Sequence, residues 1–138
     1  MKRSEVADKW WRQATHDLEV ARDNSALGHA DACAHMCQQA AELAVKALWI
    51  DVKQVEAPPR THWVAQMASD LGAPRDVIGS INDLMGDYIP SRYPDTGLGI
   101  PCEVYTAEHA QDRLAKTHAI LIWIERQWEQ TDDSNEQA

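Results

Sequence analysis

In the stretch Arg113-Leu-Ala-Lys-Thr-His118, an arginine precedes a histidine with four residues between them, Lys116 among those four. Histidine moves a proton near neutral pH and arginine stabilises negative charge on a phosphate. Metal-free cleavage of RNA by its own 2′-hydroxyl needs both. At 100° per residue the pair lies about 140° apart around a helix axis, on opposite flanks of one apolar seam. One chain therefore aims them in different directions, while two such helices meeting about a two-fold axis could bring an Arg and a His of each chain into one cleft. Spacings of this kind are common by chance in a chain with eight Arg and six His. Arg22 with His29 is a second occurrence, and a solvated helix flank is the plain alternative.

A second grouping, Arg92-Tyr93-Pro94-Asp95, offers a phosphate-binding cation, a stacking ring and an acceptor, which suits a nucleotide or single-stranded RNA. Pro and Asp also make turns, and an Arg92–Asp95 tie would serve only to hold the loop. His62, after Pro59-Arg60-Thr61, either supports that loop or lines the same cleft. His29, Cys33 and Cys37 advance by fours along one helix side. Drift of about 40° per step makes joint ligation of one ion awkward, so small residues at a helix contact are the better reading and no metal is expected. His16, His35 and His109 have no evident partner. No Walker loop, nucleophile elbow, Rossmann glycine cluster or CxxC pair is present.

The elements that must position these residues are helical. Ser4 can cap a helix over about 5–23, with Val6, Trp10, Trp11, Ala14, Leu18 and Ala21 near helical spacing. An Ala-rich helix over about 29–53 follows, its small residues suited to close packing, with Glu42 and Lys46 as an i,i+4 pair. Pro58 and Pro59 break it, Thr61 can cap a short helix to about Leu71, and Pro74 opens another ending near Tyr88. Residues 89–105 hold three of the six Pro and two of the six Gly, a long irregular connection of the kind that is more often functional than filler. Thr106 caps the last helix, 107–129, whose seam Ala110, Leu114, Thr117, Leu121, Ile124, Trp128 is that of a bundle.

The chain has 138 residues, enough for one domain over 1–129, followed by an acidic tail, 130–138, expected to be disordered. The formal net charge of −9 is opposite in sign to that of non-specific nucleic-acid binders, so any RNA contact has to come from a local basic patch. Three cysteines without framework spacing read as free thiols. The absence of a membrane-length apolar run or signal core makes a cytoplasmic location the expectation.

Three stretches in order resemble one family: Cys37-Gln-Gln-Ala-Ala-Glu-Leu-Ala-Val-Lys-Ala-Leu48, Thr61-His62 after a Pro-rich loop, and Asp87-Tyr-Ile-Pro-Ser-Arg-Tyr-Pro-Asp95. The chain over about 4–129 is similar to the HEPN domain (higher eukaryotes and prokaryotes nucleotide-binding), in the branch with a QQAAE-type second helix and an RYPD loop. The resemblance implies an all-α, up-and-down four-helix bundle with a short additional helix, often a homodimer, frequently paired with a minimal nucleotidyltransferase as a toxin–antitoxin system. Active members are metal-independent ribonucleases with Arg-x4–6-His on a late helix, which Arg113 and His118 match; no cofactor is implied. Arg92, Tyr93, Asp95, Lys116 and His62 are the candidate residues for RNA or nucleotide contact. Two features depart from the family pattern. Leu114 follows the arginine where a polar residue is common, and His118-Ala119-Ile120 replaces the His-x-Tyr that some toxins offer for nucleotidylation. A non-catalytic nucleotide- or partner-binding module working with a nucleotidyltransferase is the alternative.

Overall fold

Ser4 opens the first helix as its position predicts. Its backbone is extended and its hydroxyl accepts the Ala7 N–H at 3.1 Å, while Glu5 and Asp8 place negative charge at the positive end of α1 (Glu5–Ala26). Leu27, Gly28 and His29 then reverse the chain. Gly28, at φ +84°, takes the left-handed conformation the reversal requires, and the His29 N–H returns to the Asn24 carbonyl at 2.8 Å.

In a computed structural model of the chain, five further helices follow: α2 (Ala30–Lys53), α3 (Val64–Asp70), α4 (Arg75–Met85), α5 (Pro101–Val104) and α6 (Ala107–Gln137). The structure describes the backbone of 1–137 and the side chains of 1–130. Of the tail expected over 130–138, the side chains of 131–138 lie outside the described residues. Among the described residues there is no strand and no helix long and apolar enough to cross a membrane.

The Ala-rich α2 is the central helix and touches every other one. Cys33, Cys37, Ala40, Ala41, Ala44, Ala47 and Leu48 are fully buried. Their small side chains let α1 and α6 approach from two sides. From α6, Ile120 and Ile124 are fully buried in the same core, each contributing about 1.5–3 kcal/mol relative to an exposed position. Asp51 of α2 ties both chain ends together, accepting the Ser4 N–H at 3.0 Å and the Trp128 indole N–H at 2.9 Å. The thiols of Cys33 and Cys37 are free and lie in the core, where the Cys33 thiol faces the Ala110 carbonyl.

Helix boundaries differ from the spacing-based expectation at several places: α1 runs on to Ala26, α4 stops at Met85, and α6 continues past 129 to Gln137. The Thr61 hydroxyl accepts the Trp63 N–H at 3.1 Å, a local turn that delays α3 to Val64. The connection 89–105, read as irregular throughout, contains the one-turn α5 with Pro101 at its first position. Gly99 precedes it at φ +115°, where a Cβ would lie 2.7 Å from a Val104 methyl. At the start of α6, Thr106 accepts the His109 N–H at 3.3 Å and the His109 Nδ1 accepts the Thr106 N–H at 3.0 Å. This reciprocal cap gives His109 the partner its sequence position did not reveal.

Candidate functional site

Three polar sites surround α6 and the 86–106 connection. The first is built on Asp87, which follows α4 and is buried to 5% exposure. Arg113 grips it with two bonds, Nε to Oδ2 at 2.6 Å and Nη2 to Oδ1 at 3.3 Å. The Tyr105 hydroxyl donates to Oδ1 at 2.8 Å, and the remaining Arg113 Nη1 donates to Asp112. The Asp87 hydrogen bonds push the Arg113 pKa up, and burial followed by the Asp87 bond pushes Tyr105 up. Lys116 is held by Asp112 at 2.8 Å and Asp83 at 2.9 Å, its pKa raised and that of Asp112 lowered by their mutual hydrogen bond. A cavity of about 370 Å³ opens beside this cluster, lined by Asn82, Asp87, Tyr105, His109 and Arg113 among others.

His118 stands on the other side of α6, exposed in a groove against α1. Its Nδ1 lies 3.5 Å from Nη2 of Arg22. The groove, about 250 Å³, also presents Trp11, Thr15, Glu19, Ile122 and Glu125. Arg113 and His118 thus flank opposite sides of α6 within one chain, as 100° per residue requires.

The third site gathers residues from α2, α4 and the connection. Arg92 donates to the Tyr88 carbonyl at 2.8 Å and to Gln38 Oε1 at 3.1 Å, and its guanidinium lies 4.1 Å from the centre of the Tyr88 ring. That ring is 6.0 Å from the His62 ring, and His62 Nδ1 is 3.9 Å from Glu42 Oε1. Gln38, Glu42, His62, Met85 and Tyr88 enclose about 230 Å³. Arg92 thus borders the groove that His62 lines, bonding to Gln38 and covering the Tyr88 ring, and is tied to α2 and to Tyr88 rather than to Asp95. Tyr93 and Asp95 stand exposed on the connection.

Spacing singles out none of Asp87, Tyr105, Tyr88 and Gln38, and marks Arg22 only as half of a second Arg–His occurrence. Gln38 carries a local signal, a polar residue on the buried face of an Ala-rich helix, and Asp87 and Tyr88 lie in the family-like stretch 87–95; Asp87 and Tyr105 act through contacts distant in sequence.

His35, near Arg92, has a buried Nε2 without a hydrogen-bond partner, and its pKa is lowered by burial and by the Arg92 charge against the opposing pull of Asp31 and Asp87. The unfolded chain then binds more protons than the folded one below the ordinary imidazole value of 6.5, so stability from this group is full above that value and is lost as pH falls. Melting temperature is expected to drop from pH 7 to pH 5 in the native chain and to drop less in His35→Gln; equal slopes would exclude His35 as the source.

The chain is an all-helical bundle with Arg-x4-His on its last long helix and polar residues gathered around that helix. The family model for the HEPN domain matches residues 7–127, and the chain belongs to the HEPN family. Among solved structures, TT1696 from Thermus thermophilus superimposes with a TM-score of 0.80 at 29% identity, over 89% of this chain and 98% of that one. ST0689, an archaeal HEPN homologue, superimposes with a TM-score of 0.75 at 33% identity, over 93% and 99%. No curated protein matches the sequence.

Proposed function

We propose that this HEPN protein is a metal-independent endoribonuclease, the toxin-like member of a prokaryotic pair with a minimal nucleotidyltransferase. The observation that carries the reading is the exposed His118 imidazole, in the family's Arg-x4-His spacing, beside a guanidinium in a groove. In the reaction the 2′-oxygen of a ribose attacks the adjacent phosphorus and gives up its proton to a base. The bond from phosphorus to the 5′-oxygen breaks, and an imidazolium protonates that leaving oxygen. The products are a 2′,3′-cyclic phosphate and a 5′-hydroxyl. The neutral and protonated forms of His118 suit the two proton transfers.

A homodimer fits this reading. Ala115, Ala119 and Ile122 form an exposed strip on α6 next to His118, and two such strips packed about a two-fold axis would set two His118 grooves side by side. Arg113 would face a His118 only from a second copy, and would reach a phosphate only by leaving Asp87 and Asp112. The test is cleavage of end-labelled tRNA in EDTA beside an all-2′-deoxy substrate of the same sequence. Cutting of RNA alone, leaving cyclic phosphate ends, is the expected result; cutting of both or of neither would overturn the mechanism.

One observation favours a second reading, a nucleotide-binding module without catalysis. The Tyr88 ring, Gln38 and His62 line one groove and Arg92 borders it through Tyr88 and Gln38, which brings a cation, an aromatic face and an amide together, a set suited to a nucleotide. Millimolar ATP should then raise the melting temperature of the native chain and have a smaller effect on Arg92→Ala. No shift in either would remove this reading.

A further inference from the structure

We infer that Arg22, supplied by α1, is the cation that binds the scissile phosphate beside His118. This rests on the ribonuclease reading and assigns a residue outside the Arg-x4-His motif. The motif's own arginine is poorly placed for the task. Arg113 projects from the opposite side of α6 and all of its nitrogens are bonded to Asp87 or Asp112, so its charge is already compensated. Arg22 is exposed and, among the described residues, forms no ion pair with a carboxylate. Of the five N–H donors of its guanidinium, the 3.5 Å approach to His118 Nδ1 engages one and leaves four for a ligand. A guanidinium can only donate, so Nδ1 is the acceptor in that contact.

Contacts between α1 and α6 flank the pair on both sides. On one side of it, Gln111 of α6 donates to the Ser25 hydroxyl of α1 at 3.3 Å. On the other, Trp11 of α1 packs edge-on against Trp128 of α6 with centroids 5.5 Å apart. Arg22 and His118 therefore project from two helices pinned at both ends of the groove, which limits the reorganisation needed to bind an anion. At about 250 Å³ the groove is smaller than the roughly 300–1,000 Å³ of sites for drug-sized ligands, and so suits a phosphodiester rather than a whole dinucleotide. Glu19 and Glu125 line the same groove and oppose an anion held at a distance. Only a phosphate bonded directly by the guanidinium fork and the imidazole overcomes that field.

The test is binding of a fluorescein-labelled all-2′-deoxy oligonucleotide, read by anisotropy at low salt, together with RNA cleavage. Arg22→Gln is compared with Arg126→Gln, an exposed arginine of α6 whose loss changes net charge equally. Arg22→Gln is expected to weaken binding about tenfold or more and Arg126→Gln less than about twofold, with Arg22→Lys intermediate because it keeps the charge but not the fork. Equal weakening by the two glutamine variants, or no binding by the native chain, would overturn the assignment. If binding depends on Arg22 but no RNA is cut, the phosphate site stands and the ribonuclease reading fails. If RNA is cut equally by native and Arg22→Gln protein, the ribonuclease reading stands and Arg22 is excluded.

Discussion

Arg113→Ala is expected to lower the free energy of unfolding by about 3 kcal/mol or more, because it strands a buried carboxylate. Asp87 is 5% exposed and draws two of its three side-chain hydrogen bonds from Arg113; only the Tyr105 hydroxyl would remain. The Arg113 side chain is itself only 18% exposed, so little solvent screens the pair. Its bond to the more exposed Asp112 adds little. Urea unfolding would read the loss as a lower midpoint at unchanged slope. Asp87→Asn in the same background should recover part of it, since an amide oxygen still accepts from Tyr105 without carrying an unpaired charge. A single variant within about 0.5 kcal/mol of the native chain would show that the ion pair does not hold α4 to α6. The consequence for function is direct. Loss of cleavage in Arg113→Ala is what a loosened α4–α6 joint would produce, so that result alone assigns Arg113 no role at the phosphate.

His118→Ala is expected to reduce RNA cleavage in EDTA by about 10²–10⁴-fold, the usual contribution of a positioned proton-transfer group. Stability should move by less than about 0.5 kcal/mol, because His118 is exposed and its one polar contact, to Arg22, is long. This pairing of a large kinetic effect with a small thermodynamic one is the reverse of that expected for Arg113→Ala. Cleavage by His118→Ala at the native rate would remove His118 from the site. Measuring both quantities on both variants separates chemistry from architecture without any assumption about the RNA target.

Local order was legible where a local cause exists. Ser4 and Thr106 cap the helices their positions suggest, because a hydroxyl two or three residues ahead of an orphan N–H is a short-range interaction. The alanines and cysteines of α2 read as close-packing positions and are buried. Where a neighbouring side chain offered a competing bond, as Thr61 does to the Trp63 N–H, the helix cap moved by two residues, from Thr61 to Trp63. His109 had no evident partner in sequence, and in the structure it pairs with Thr106.

By itself the sequence determined that the chain is a helical HEPN bundle, where its long helices run, and that Arg113 and His118 must diverge around α6, since helical periodicity sets each of these over a few residues. The tertiary structure alone decided what each of the two meets: Asp87, 26 positions away, for Arg113, and Arg22, 96 positions away, for His118. Those pairings depend on how α4 and α1 dock against α6. Docking follows the shapes of whole buried faces, and no spacing within a single helix encodes it.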